Sequence, residues 1–129
     1  ELSAIDIAIE KLTEVGARRA LKLPVGGAFH SPLMESAKKE LENAIDNTTF
    51  NSPKCPIYQN VSGNSYVNPG EIKQNLIDQL TSPVKWTQSM TNILKNGDLE
   101  IIEVGPGKVL QGLFKKIDRA ISTSSAEIL

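Results

Sequence analysis

A chain of 129 residues that is 40% hydrophobic and 22% charged carries enough apolar material for one ordinary globular core, which excludes a disordered or low-complexity role. With 14 basic and 15 acidic residues its formal net charge is -1, so no whole-molecule field steers it toward nucleic acid or an anionic membrane. One cysteine, Cys55, and one histidine, His30, exclude an internal disulfide and a Cys/His zinc site, and no metal site is expected.

From Ala4 to Val15 the apolar residues Ile5, Ala8, Ile9, Leu12 and Val15 fall at three- and four-residue spacings, which predicts a helix with one apolar face, Glu10, Lys11 and Glu14 lying off it. Ser3 and Asp6 are spaced like a capping box, and Gly16 is the stop. The first residue is Glu and the helical pattern starts at once, so an upstream portion is expected to be missing. Ala20, Leu21 and Leu23, closed by Pro24, read as a short strand, and Gly26-Gly27 as a flexible turn before Phe29 and His30. Ser31-Pro32 has the pattern of an N-cap and first helical position, opening a helix whose expected buried face is Leu33, Met34, Ala37, Leu41, Ala44 and Ile45.

Asn47 to Pro56 reads as a loop, Ile57 to Val61 as a strand, and Ser62 to Gly70 as a turn-rich stretch. Ile72, Leu76, Ile77 and Leu80 predict a helix to about Gln79 or Leu80; Ser82-Pro83 breaks it before another carrying Trp86, Met90, Ile93 and Leu94, which Asn96-Gly97 ends. Leu99 to Val104 is strand-like, Gly105-Pro106-Gly107 turns the chain, and Lys108 to Ile117 has helical spacing through Val109, Leu110, Leu113 and Phe114. Ala120 to Thr123 is a last short strand. Helices alternating with strands predict an α/β fold with a mostly parallel sheet.

Among groups able to do chemistry, His30 is the one side chain whose unperturbed pKa lies near neutrality, and it stands at a loop-to-helix junction where a base can face a cleft. Position alone leaves it open, because a lone histidine is more often structural or solvated, and nearby helix amides oppose an imidazolium unless another group stabilises the charge. Gly105-Pro106-Gly107-Lys108 is not a phosphate loop, since Ile102 and Val109 stand where glycine and Ser/Thr are required. Lys108, Lys115, Lys116 and Arg119 either meet an acidic partner or complement a helix dipole in solvent. Gly-x-Ser-x-Gly is absent, and a helix cap accounts for Ser31. No apolar run approaches the roughly 18 residues of a membrane span, and the first residues have neither a basic n-region nor an apolar h-region, so a cytoplasmic location is the default expectation. The glycosylation-like tripeptides Asn47-Thr48-Thr49 and Asn60-Val61-Ser62 are discounted with it.

The string Gly26-Gly27-Ala28-Phe29-His30-Ser31-Pro32-Leu33-Met34 closely resembles the histidine motif of the malonyl-CoA:acyl-carrier-protein transacylases and related polyketide acyltransferase domains. Five further segments agree in order: residues 49–53, 56–61, 79–86, 103–110 and 112–113. The resemblance implies malonyl transfer from coenzyme A to a serine, then to the phosphopantetheine thiol of acyl carrier protein, in fatty-acid biosynthesis. It makes His30 the base for both nucleophiles and Gln79 the residue whose main-chain carbonyl orients it. Ala28 and Phe29 fall where related domains select the acyl unit, and their type is the malonyl one, a discrimination worth about 1 to 3 kcal/mol.

By the same resemblance, residues 1–24 are the C-terminal end of a small ferredoxin-like subdomain. Residues 25–129 are the C-terminal part of a hydrolase-like three-layer α/β acyltransferase core, incomplete here. The nucleophilic serine and the carboxylate-clamping arginine lie upstream, and Arg18 and Arg19 do not match the latter. The piece alone is expected to fold poorly and to be inactive. No cofactor is implied, malonyl-CoA and phosphopantetheine being substrates; the partners are acyl carrier protein and malonyl-CoA, with no nucleic acid or membrane, and the expected state is a monomer. Two other classes are weighed against this: a non-enzymatic carrier-protein binding module, and a fragment of a serine acyl hydrolase, which should show a carboxylate partner for the histidine.

Overall fold

Residues 2–126 are described in a computed structural model of the chain. The first apolar periodicity forms helix α1 (Leu2–Glu14). Gly16 ends it with φ 91°, and the Ala17 amide bonds the Leu12 carbonyl (2.9 Å) while the Gly16 amide bonds that of Thr13 (3.0 Å), the paired closure a left-handed glycine permits. The expected capping box does not form: Ser3 lies inside the helix, and Lys22 takes the Asp6 carboxylate at 2.8 and 3.0 Å. No residue of α1 is buried, so its apolar face has no covering element among the described residues.

The strand expected at Ala20–Leu23 is also absent. Leu21 and Leu23 are exposed and no neighbouring strand pairs with the segment, and a lone extended stretch has no partner for its amides. At Ser31-Pro32 the cap forms as expected, Ser31 Oγ accepting from the Leu33 amide, but it opens a 3-10 turn, Pro32–Met34, which leads into α2 (Glu35–Asp46). Of the buried face expected for this helix, only Ile45 is buried; Leu33, Leu41 and Ala44 are exposed and Met34 and Ala37 half-buried.

The expected strand from Ile57 to Val61 shortens to β1 (Ile57–Tyr58), which pairs antiparallel with β2 (Ser65–Tyr66) inside the stretch read as turns. The intervening turn requires Gly63, at φ 79°. A methyl there would stand 2.9 Å from Gln88 Cβ, because the turn lies directly on α4 (Trp86–Leu94). Asn92 Nδ2 donates to the Gly63 carbonyl at 2.9 Å, and the Lys85 amide to that of Asn60 at 2.8 Å, so the hairpin is tied to the start and the last turn of that helix.

Helix α3 (Pro69–Gln79) starts where Asn68 Oδ1 accepts from the Gly70 (2.8 Å) and Glu71 (3.2 Å) amides, with Pro69 at its first position. Its Ile72 and Ile77 are buried, and buried Gln59 joins it to β1, donating to the Ile72 carbonyl at 3.0 Å and accepting from Asn75 at 2.9 Å. Strand β3 (Glu100–Glu103) and β4 (Ser122–Ser125) pair in parallel, Glu100 opposite Ser122, with α5 (Val109–Phe114) in the crossover. β4 thus lies two residues later than expected. Buried Glu103 caps α5 from the strand, its two oxygens accepting from the Leu110 (3.1 Å) and Gln111 (3.2 Å) amides. Phe114 meets Trp86 edge-on, centroids 6.3 Å apart, so α4 and the β3-α5-β4 unit share an apolar centre with Met90. The fold is α/β, but among the described residues the sheet is one parallel and one antiparallel pair rather than mostly parallel.

Candidate active site

His30 lies on the surface with φ 58°, the one non-glycine residue in the left-handed region among those described. Such a conformation is uncommon for residues with a side chain, although histidine adopts it more readily than most. It is held on its C-terminal side by Ser31, whose hydroxyl donates back to the Ala28 carbonyl at 2.6 Å and accepts from the Leu33 amide at 3.3 Å. The reversal aims the ring at the C-terminal end of α3, where the last carbonyls of a helix have no partners within it.

There His30 Nδ1 lies 3.0 Å from the main-chain oxygen of Gln79. A carbonyl only accepts, so Nδ1 carries the proton, and Nε2 is left with its lone pair and no partner among the described residues. The same oxygen accepts the Ser82 amide at 3.3 Å, so both of its lone pairs are used. Gln79's own side chain folds back over this turn, Nε2 donating to the Ser82 carbonyl at 3.0 Å. Its 3.4 Å approach to His30 Nδ1 therefore sets two donors side by side and is not a bond. Reversing the amide would set its oxygen against the Ser82 carbonyl oxygen at 3.0 Å and that of Pro83 at 3.5 Å, so the orientation stands, leaving Gln79 Oε1 buried without a partner among the described residues.

One residue before Gln79, Asp78 accepts from Lys38 Nζ at 2.9 Å and from Gln74 Nε2 at 3.1 Å. The hydrogen bond from Lys38, seconded by that from Gln74, holds the Asp78 carboxyl below its ordinary range, and the bond to Asp78 raises the Lys38 ammonium above its own.

The structure thus brings together His30 and Gln79, 49 residues apart in sequence. Ala28 and Phe29 sit beside His30 on the loop, Phe29 58% exposed with its ring over Gly27, and no wall closes over them. A cleft of about 380 Å³ between β1 and α3 reaches Gln79 and is lined by Phe50, Ile57, Tyr58, Ile72 and Leu76, but not by His30, Ala28 or Phe29. Lys38 and Asp78 were not singled out by sequence reasoning: they are 40 residues apart, and a half-buried lysine and aspartate on two different helices carry no local signal. Among the described residues no cluster of three or more His, Cys, Asp or Glu is placed to hold a metal, and no helix is long and apolar enough to cross a membrane.

No protein-family model matches the chain. Among characterised proteins it is 40% identical over 119 residues to the malonyl CoA-acyl carrier protein transacylase of Bacillus subtilis (strain 168), covering 92% of this chain and 38% of that protein. With the same-named protein of Staphylococcus aureus (strain COL) it shares 38% over 125 residues, 97% of this chain and 41% of the other. Among solved structures, an acyl carrier protein S-malonyltransferase from Vibrio cholerae superposes with a TM-score of 0.87 at 38% identity, over 98% of this chain and 41% of that one. A malonyl-transacylase solved in complex with its type II PKS acyl-carrier protein superposes with the same TM-score, 0.87, at 31% identity, over 98% and 41%. The chain therefore spans about two fifths of the length of the relatives it matches. Over nearly all of its own length it shares their sequence pattern and their α/β fold.

Proposed function

We infer that this chain is the C-terminal part of a malonyl-CoA:acyl-carrier-protein transacylase of fatty-acid biosynthesis, and that it supplies the histidine half of the site. The observation that carries this reading is the 3.0 Å contact from His30 Nδ1 to the Gln79 carbonyl, which leaves Nε2 free to accept a proton. A serine on the upstream part of the protein attacks the malonyl thioester, its proton passing to Nε2. Collapse of the tetrahedral adduct breaks the carbon–sulfur bond, and Nε2–H returns the proton to the coenzyme A thiolate. The phosphopantetheine thiol of acyl carrier protein then attacks the serine ester, gives its proton to Nε2, and the serine oxygen takes it back on leaving.

Each step makes a transient imidazolium, and the Gln79 carbonyl at the negative end of α3 faces the side of the ring that bears that charge. This answers the opposition expected from helix amides near His30: the first helical position is Pro32, which has no amide proton, and Ser31 Oγ takes that of Leu33. Ala28 and Phe29 border the acyl group and favour malonyl over a branched unit. Residues 1–24 close a ferredoxin-like subdomain, and residues 25–129 complete a three-layer core whose other strands are upstream. The protein works as a cytoplasmic monomer with no cofactor, on malonyl-CoA and acyl carrier protein.

A hydrolase reading would seat a carboxylate on His30, and the group within bonding distance of Nδ1 is a main-chain carbonyl. The two are separated by supplying the full-length protein with malonyl-CoA and holo carrier protein and measuring malonyl on the carrier thiol against free malonate. Malonyl carrier as the dominant product supports transfer; malonate as the dominant product overturns it. Capture of the carrier without turnover would leave only a binding module.

A further inference from the structure

We propose that the ion pair between Lys38 and Asp78 is a positioning latch that sets His30 against the Gln79 carbonyl. The proposal rests on reading those two as the base and its orienting group. His30 stands five residues before α2 and Gln79 is the last residue of α3, so their contact exists only while the start of one helix is held in register with the end of the other. Lys38, in the first turn of α2, and Asp78, immediately before Gln79, make the side-chain bond that crosses at that level, Nζ to Oδ1 at 2.9 Å. Gln74, one turn back on α3, holds the other carboxylate oxygen at 3.1 Å, which fixes the aspartate's orientation toward the lysine.

The pair is also more enclosed than the other ion pair among the described residues: the Lys38 and Asp78 side chains are 21% and 38% exposed, against 45% and 58% for Lys22 and Asp6. Glu35 and Glu42 on α2 also stabilise the Lys38 cation, so the partner that Asp78 meets stays charged. A pair so close to the surface adds little to global stability. Its leverage is geometric, because hydrogen bonds weaken steeply beyond about 3.5 Å and a small slide of α2 along α3 takes Nδ1 out of reach of the carbonyl. His30 is exposed, and the Gln79 main-chain carbonyl is the one hydrogen-bond partner of its ring among the described residues, so the ring's register depends on the helices that carry the two residues.

The test is the tautomer of His30 in the full-length protein, its imidazole nitrogen signals assigned by their loss in His30→Ala and read in a long-range proton–nitrogen spectrum at a pH where the ring is neutral. The Nδ1–H form should dominate in the wild type. Lys38→Met and Asp78→Asn should each shift the tautomer ratio toward Nε2–H by about threefold or more, the scale of a weakened hydrogen bond. Lys38→Arg and the exchanged pair Lys38→Asp with Asp78→Lys should restore it, and Lys22→Met, which breaks the remote pair, should leave it unchanged. An unshifted ratio in both single variants overturns the latch, as does an equal shift in Lys22→Met. Loss of cooperative unfolding by Trp86 fluorescence in either single variant also overturns it, since the pair would then hold the whole chain rather than one junction. A wild type without Nδ1–H in excess contradicts the reading of the histidine pair itself, and does so before any latch variant is made.

Discussion

Replacing Gly63 by alanine separates two penalties that the structure places at one residue. The first is conformational: at φ 79° a Cβ meets the following carbonyl, at a cost of about 1 to 2 kcal/mol. The second is packing: the new methyl would lie 2.9 Å from Gln88 Cβ and 3.4 Å from the Ser89 amide, atoms of α4 that cannot swing aside as the end of a long side chain can. Forcing a methyl into a full site costs roughly 1 to 3 kcal/mol more. Gly97→Ala is the control, because Gly97 has φ 99° but nothing within 4 Å of an added Cβ. The gain from restricting the unfolded chain is common to both and cancels. Urea unfolding followed by Trp86 fluorescence should show Gly63→Ala losing about 2 to 5 kcal/mol and Gly97→Ala about 1 to 2. Equal losses would refute the claim that the hairpin turn bears directly on α4.

Three further outcomes follow from the site. Phe29→Ala in the full-length protein should raise use of methylmalonyl relative to malonyl by about 10- to 200-fold, the range of methylene-scale discrimination; an unchanged ratio in direct competition removes Phe29 from selectivity. The depressed Asp78 pKa makes its pairing a source of stability that is present above the ordinary value of 3.8 and lost as pH falls through the lower folded value. The difference in urea stability between wild type and Asp78→Asn should therefore be flat near neutrality and shrink below about pH 4; a difference that grows on acidification contradicts the pairing. At the alkaline end the raised Lys38 pKa predicts the mirror effect, stability present below the ordinary value of 10.5 and lost as pH rises through the higher folded one, visible as a falling difference between wild type and Lys38→Met.

Much of the chain could be read before its structure because apolar spacing reports local folding. The helices α1, α3, α4 and α5 and strand β3 all stand where periodicity puts them. What failed depends on partners. Among the described residues, Leu21 and Leu23 have strand-like character but no strand beside them, and Leu33, Leu41 and Ala44 repeat as a helix face should, yet no described element covers them. The β1–β2 hairpin escaped notice because its two-residue strands are shorter than an alternation pattern needs, and its turn, from Gln59 to Asn64, resembles loop composition. For the site, the residue type of His30 suggested a base and the resemblance of its surrounding motif suggested the role. Gln79 was legible only through the resemblance, since the group it offers His30 is a carbonyl that every residue has. The latch and the left-handed backbone at His30 had no sequence signal: one joins residues 40 apart, and the other is imposed by the reversal between Ala28 and Ser31.

The most direct test of the account is the rate of malonyl transfer from malonyl-CoA to holo acyl carrier protein by the full-length protein and its His30→Ala variant, with Trp86 fluorescence confirming an unchanged fold. Loss of a general base predicts a fall of about 100-fold or more. A variant that keeps the wild-type rate would contradict the assignment of His30 as the base and, with it, the role given to the Gln79 carbonyl.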